Sequence, residues 1–282
     1  MNAFDPRVTP ARSDLAAGHL RGKVEAARFV EGETREVIEP TAPLRRAPAH
    51  DAPLETEALM GERVTVYETT EEGWAWGQLA DDGYVGWLPA GALTPPGPAP
   101  THRISALHGL VFPGPSIKAT PVTRLPFGAR IAATRTDDTF AVTQAGFISR
   151  RHVSPLADME SDWVAVAERF LGAPYLWGGK TSLGVDCSGL VQVALAACGI
   201  ACPRDSDMQE RALSEAVGIS ALRRGDLVFW KGHVALARDA ETLIHANAFH
   251  MAVASEPVDH AVARIGAAGS EVTSVKRLDR AI

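Results

Sequence analysis

Three side chains in this sequence could do chemistry together. Cys187 stands in G-V-D-C-S-G-L (184–190), between a carboxylate and a hydroxyl, where an apolar run begins. His233 opens H-V-A-L-A, and His245 lies inside L-I-H-A-N. A cysteine attacks as its thiolate, and imidazole is the side chain best matched to taking that proton near neutral pH. A second imidazole can orient the first, which is the logic of a catalytic triad. A cysteine can equally be a small buried apolar residue, and that is the reading for Cys198 and Cys202.

The surrounding elements must bring the three together. Asp186 can cap a helix over 187–197 that ends at Gly199. Cys187 then lies in the first turn, where unpaired backbone N–H groups and the helix dipole favour a thiolate. The sulfur is therefore expected to be ionised at the mouth of a groove, with small Ser188 and Gly189 leaving room for a substrate backbone. The runs G-D-L-V-F-W-K-G-H-V-A-L-A (225–237) and T-L-I-H-A (242–246) read as strands. A three-residue turn centred on Asp239 would set His233 directly opposite His245, with Cβ atoms about 4.5–5.5 Å apart. His250 and His260 lack that register and are expected at the surface. A zinc site would want paired Cys or His ligands at short spacing; Cys198 and Cys202 span a helix end with no histidine near them. No metal or cofactor is expected.

The chain has 282 residues, enough for two or three domains, and 46% are hydrophobic. A net charge of −6 argues against nucleic acid or an anionic membrane as a partner. The first 30 residues hold no apolar core of the kind a secretory signal needs, and three clustered cysteines suit a reducing compartment. A cytoplasmic monomer is expected.

Residues 1–35 read as an extended arm with a short helix near 13–20. Residues 36–94 carry short β-branched and aromatic runs, R-V-T-V-Y-E, W-A-W-G-Q-L and Y-V-G-W-L, separated by Glu72-Gly73 and Asp82-Gly83. This is the texture of a small all-β barrel. T-P-P-G-P-A-P (94–100) is a stiff linker. The texture then recurs over 101–157: L-P-F-G-A-R-I-A-A echoes A-L-M-G-E-R-V-T-V, and Q-A-G-F-I-S echoes D-D-G-Y-V-G. From 158 to 282 the pattern is α+β. It begins with a helix over 163–171 that Ser161-Asp162 can cap and Gly172 can stop.

Four blocks in order carry a resemblance: Y-L-W-G-G-K-T-S-L-G-V-D-C-S-G-L-V, P-R-D-S-D-M-Q, R-R-G-D-L-V-F-W-K-G-H-V-A-L and L-I-H-A-N. Together they resemble the NlpC family of cell-wall cysteine peptidases over roughly 160–282. The resemblance implies a papain-like catalytic domain with Cys187 as nucleophile, His233 as general base and acid, and His245 as the orienting residue. The backbone N–H of Cys187 and the hydroxyl of Tyr175 would bind the oxyanion. Two SH3-like barrels ahead of such a domain resemble the γ-D-glutamyl-L-diamino acid endopeptidases, of dipeptidyl-peptidase VI type. Those cut murein stem peptides bearing a free N-terminal L-Ala, which implies a murein peptide as partner and a role in wall-peptide recycling. On the same likeness Asp205 holds the ammonium, and Ser206, Ser188 and Asp186 face the ligand's polar groups. Trp177 walls the alanine pocket, and Tyr84 is offered by the first barrel. Ser206 and Gln209 also fit a capping box for a helix over 207–216. Other readings of the same residues are a binding module with an inert third domain, or an amidase or acyltransferase on the same core.

Overall fold

The computed structural model describes residues 4–213 and 215–278. The chain divides into two compact units, Met1–Ala157 and Asp158–Ile282.

In the first unit the arm forms β1 (Leu15–Ala17) and β2 (Arg28–Val30), a parallel pair. The expected helix near 13–20 is replaced by β1 and a 3₁₀ turn at Gly18–Leu20. Leu15 explains the difference: it is buried against Trp74, Trp76 and Trp87, so the arm is shaped by an aromatic face rather than by local propensity. Arg12 fastens it there, with its guanidinium 4.4 Å from the Trp76 ring and 4.9 Å from the Trp87 ring and an ion pair to Glu68.

A seven-stranded sheet follows: β3 (Glu33–Val37), β4 (Thr41–Arg45), β5 (Leu54–Leu59), β6 (Arg63–Thr69), β7 (Trp74–Leu79), β8 (Val85–Pro89) and β9 (Leu93–Thr94). Its inward side chains, among them Val37, Leu44, Val64, Leu79 and Leu88, form one core. Beyond the linker come β10 (His102–Ile104), β11 (His108–Phe112), β12 (Thr123–Pro126), β13 (Arg130–Ile131), β14 (Ala133–Thr136), β15 (Phe140–Thr143), β16 (Gly146–Ser149) and β17 (Val153–Pro155). These enclose a second core around Ile104, Val111, Leu125 and Ile148. The pairings β3–β9, β3–β6, β4–β5, β4–β8, β6–β7 and β7–β8 recur as β10–β17, β10–β13, β11–β12, β11–β16, β14–β15 and β15–β16. A 3₁₀ turn precedes the last strand of each set. Gly61 and its echo Gly128 both have positive φ, 81° and 87°. At Gly61 an added Cβ would also lie 2.5 Å from the Arg130 carbonyl, so glycine is required twice over.

The second unit holds β18 (Lys180–Thr181), β19 (Gly184–Val185) and a six-stranded sheet. The sheet comprises β20 (Glu215–Val217), β21 (Leu227–Trp230), β22 (His233–Ala237), β23 (Thr242–Asn247), β24 (Ala252–Pro257) and β25 (Val272–Arg277), in the order β20-β25-β21-β22-β23-β24. Among the described residues four α-helices accompany it: α1 (Trp163–Glu168), α2 (Cys187–Ala197), α3 (Ser206–Ala212) and α4 (Val258–Ala267). Asp162 caps α1 through the N–H groups of Val164 and Ala165. The helix is shorter than the apolar run over 163–171 suggests. α2 is buried on nearly every side, as a helix apolar all round must be, and packs against β22 and β23. α3 stops at Ala212, because the chain turns to pair β20 with β25; residue 214 of the expected longer helix lies outside the described residues. No helix of the described residues is long and apolar enough to cross a membrane.

Candidate active site

The start of α2 is built from a buried network. Asp186 caps the helix by accepting the Gly189 N–H at 2.7 Å, and its other oxygen accepts the Gly178 N–H at 2.8 Å. Arg204, 1% exposed, donates to the two oxygens at 2.9 and 2.7 Å. It also donates to Ser188 Oγ at 2.9 Å, which in turn donates to Asp186 at 3.2 Å. Asp186 and Ser188, expected as ligand contacts, thus serve to fix the helix terminus, and a lone arginine that sequence reading passed over is their partner. Gln209 is fully buried and donates to the carbonyls of Ser188 and Pro203 at 2.9 and 2.8 Å, tying α3 to α2. The capping box expected of Gln209 does not form; Asp205 occupies the N-cap position, and its side chain makes no cap hydrogen bond.

The network delivers Cys187 to the edge of β22, where its sulfur receives the backbone N–H of Val234, the residue after His233, and of Ser188. Here burial runs against one expectation. Cys187 is only 7% exposed, and burial pushes the thiol up to about 12, with the Asp186 carboxylate acting in the same direction. The two backbone N–H groups and Arg204 pull the other way without offsetting it. Desolvation thus works against the helix terminus and disfavours the thiolate in the unbound site.

The imidazoles do meet, in a different register from the one expected. β22 pairs Leu236 with Ile244 and Ala237 with Leu243, around a four-residue connection 238–241. Continuing that register sets Ala235 opposite His245, with His233 two residues along on the same face, a diagonal neighbour. The rings still touch: His233 Nε2 lies 2.9 Å from His245 Nδ1, with centroids 5.1 Å apart. Burial lowers His233 to about 3 and His245 to about 4, so both rings are neutral. His245 Nε2 lies 3.1 Å from Glu256 on β24, and Arg264 of α4 holds that carboxylate through both oxygens. Sequence reading missed Glu256 and Arg264. The signal was the alternation of A-V-A-S-E-P (252–257), which puts Glu256 on the same face as His245 once β23 and β24 are paired.

The remaining expected residues divide. Tyr175 is half-buried, and burial and then the charge of Cys187 push its hydroxyl up to about 12, which leaves it a neutral donor near the sulfur. Ser206 is buried at the first position of α3, and Asp205 is half-buried beside it. Trp177 is 66% exposed, so it is a surface side chain and not a core one. Tyr84 lies in the first unit, buried in the core of the seven-stranded sheet, with its hydroxyl donating to Glu55 at 3.4 Å. His250 and His260 are exposed. His245, His250 and Glu256 converge closely enough to hold a cation, but Arg264 already places its positive charge on Glu256, so the donor set does not suit a metal.

Comparison with known proteins gives concordant findings. Residues 172–264 match the NlpC/P60 family, and residues 44–93 match the bacterial dipeptidyl-peptidase Sh3 domain. The γ-D-glutamyl-L-lysine dipeptidyl-peptidase of Bacillus cereus is 30% identical over 233 residues, covering 68% of this chain and 67% of that protein. Dipeptidyl-peptidase 6 of Lysinibacillus sphaericus is 28% identical over 163 residues, and the match spans only 60% of its length. A solved NlpC/P60 family protein from Bacillus cereus superposes with a TM-score of 0.75 at 22% identity, covering 87% of this chain and 99% of that one, which speaks to the fold.

Proposed function

The chain belongs to the NlpC/P60 family of cysteine peptidases and carries an N-terminal SH3-like domain; from that premise we propose that it hydrolyses the γ-D-Glu–diamino acid bond of murein peptides with a free N-terminal L-Ala. Its class of activity is hydrolysis of cell-wall peptides by a cysteine nucleophile. The 30% identity to a γ-D-glutamyl-L-lysine dipeptidyl-peptidase supports the finer reading. The imidazole pair 2.9 Å apart, next to Val234 whose N–H reaches the sulfur of Cys187 at a helix start, supports the cysteine chemistry.

The steps proposed for it are these. His233, whose Nε2 is held on His245, offers Nδ1 to the thiol proton. Burial disfavours a lone thiolate and a lone imidazolium alike, so the proton moves as substrate arrives and the two charges form together. The sulfur attacks the γ-carbonyl carbon. The backbone N–H of Cys187, which has no carbonyl partner within its own helix, and the Tyr175 hydroxyl face the developing oxyanion. His233 returns the proton to the departing amine of the diamino acid, leaving a thioester on Cys187. Water, deprotonated by His233, releases L-Ala-γ-D-Glu and restores the thiol.

Asp205 is assigned to the substrate ammonium, with Ser206 alongside and Trp177 against the alanine methyl, since a buried ammonium without a carboxylate is costly. A requirement for that ammonium selects stem peptides already freed from glycan. The proposed setting is wall-peptide recycling in the cytoplasm by a monomer. The recurrence of strand pairings supports reading 101–157 as a second SH3-like barrel after the first at 36–94.

Purified protein incubated with L-Ala-γ-D-Glu-meso-diaminopimelate should release L-Ala-γ-D-Glu, identified by mass. Acetylating the substrate amine should lower kcat/KM by about 2–5 kcal/mol, the usual loss when one partner of a buried charge pair is removed. Equal rates on the two peptides would take Asp205 out of this role.

A further inference from the structure

The imidazole side of the site extends beyond the two histidines. His245 is fully buried and both of its ring nitrogens are engaged, Nδ1 with His233 at 2.9 Å and Nε2 with Glu256 at 3.1 Å. Glu256 is itself 7% exposed and accepts Arg264 Nε at 3.0 Å and Nη2 at 2.6 Å. The hydrogen bond from Arg264 is the largest influence holding the Glu256 carboxyl below its ordinary range. An ionised carboxylate can only accept, so His245 Nε2 carries the hydrogen between them. A neutral imidazole has a single N–H, which makes His245 Nδ1 an acceptor. His233 Nε2 must then be the donor across the 2.9 Å contact, and its own Nδ1 is left bare.

We propose that Glu256, held by Arg264, is a positioning residue that sets the tautomers of His245 and His233 in series, so that His233 presents an unprotonated Nδ1 as the base. Without an acceptor at Glu256, His245 has no reason to keep its hydrogen on Nε2. The opposite tautomer of His245 would donate to His233 and drive the hydrogen of that ring onto Nδ1, where it cannot act as a base. The inference rests on the proposed function only where it takes His233 to deprotonate Cys187; the tautomers follow from the hydrogen bonds of two rings that burial keeps neutral.

Long-range ¹H–¹⁵N correlation of the histidine rings near neutral pH tests it directly. Signals are assigned by their loss in His233→Gln and His245→Gln. The wild-type protein should show protonated Nε2 and bare Nδ1 in both rings. Glu256→Gln, which offers a donor as well as an acceptor, should mix the tautomers. It should lower kcat about 10- to 100-fold with KM nearly unchanged, the usual scale for a group that acts through another. Glu256→Asp should restore part of the loss. Alkylation of Cys187 by iodoacetamide should slow in parallel, and that readout needs no peptide. A wild-type protein that shows these tautomers yet ignores the peptide would sink the substrate reading and leave this one standing. A hydrogen on Nδ1 of wild-type His233, or wild-type spectra and kcat in Glu256→Gln, would overturn it. If Glu256→Gln does not fold, the wild-type spectrum decides alone.

Discussion

Asp186–Arg204 and Glu256–Arg264 are the same two functional groups, one beside Cys187 and one beside the His233–His245 pair of the proposed reaction centre. On the thiol side Arg204 is sealed from water and Asp186 is surrounded by donors: two guanidinium nitrogens, two backbone N–H groups and the Ser188 hydroxyl. Every one of these holds chain in place, and the carboxylate's effect on the sulfur is to oppose its ionisation. On the imidazole side Glu256 receives one guanidinium and one ring nitrogen, and the Arg264 side chain is 24% exposed, lying 4.5 Å over the Phe249 ring. A carboxylate whose neighbours are backbone becomes scaffold; one that keeps an oxygen for a titratable ring controls where that ring carries its hydrogen.

Removing each arginine should separate the two roles. Arg204→Met strands a buried carboxylate and should lower unfolding free energy by about 3–5 kcal/mol in denaturant titration. Arg264→Met removes a partly exposed arginine and leaves the buried Glu256 its His245 partner, and should lower it by about 1–3 kcal/mol, with turnover falling more than stability. Equal losses in the two variants would break the comparison.

The pH dependence of stability should divide the same way. His233 and His245 have folded values of about 3 and 4, depressed from 6.5, so the unfolded chain binds more protons in that range. Their contribution is complete above about pH 6.5 and fades as pH falls toward 3–4. Cys187 is raised from 9.0 to about 12, so its contribution is complete below about 9 and fades as pH climbs toward 12. Thermal melts across pH should show a shallower acid limb in His245→Gln and a shallower alkaline limb in Cys187→Ala. The smallest effect should come from His260→Ala on the exposed face of α4, within about 0.5 kcal/mol of wild type.

Much of the thiol side was legible in the sequence. Asp186 before an apolar run marks a capped helix with Cys187 in its first turn, and the structure has that helix over Cys187–Ala197. The state of the sulfur was not legible, because the helix-terminus argument counts N–H groups and leaves out desolvation, a tertiary quantity. Arg204 was hidden for a related reason: an arginine beside a proline reads as solvated until Asp186 and Gln209 close over it. On the imidazole side, alternation put His233 and His245 on one face, although the register was two residues off. Glu256 and Arg264 were invisible without the β23–β24 pairing and α4, whose start at Val258 is marked weakly, by the preceding Pro257 and by Asp259 in the first turn.

The most direct test of the account is to catch the covalent intermediate. Wild-type protein mixed with L-Ala-γ-D-Glu-meso-diaminopimelate, quenched in acid during turnover and digested, should yield the fragment containing Cys187 carrying the L-Ala-γ-D-Glu acyl group as a thioester, and Cys187→Ala should yield none. Continued turnover in Cys187→Ala, or an acyl group found on any other residue, would contradict it.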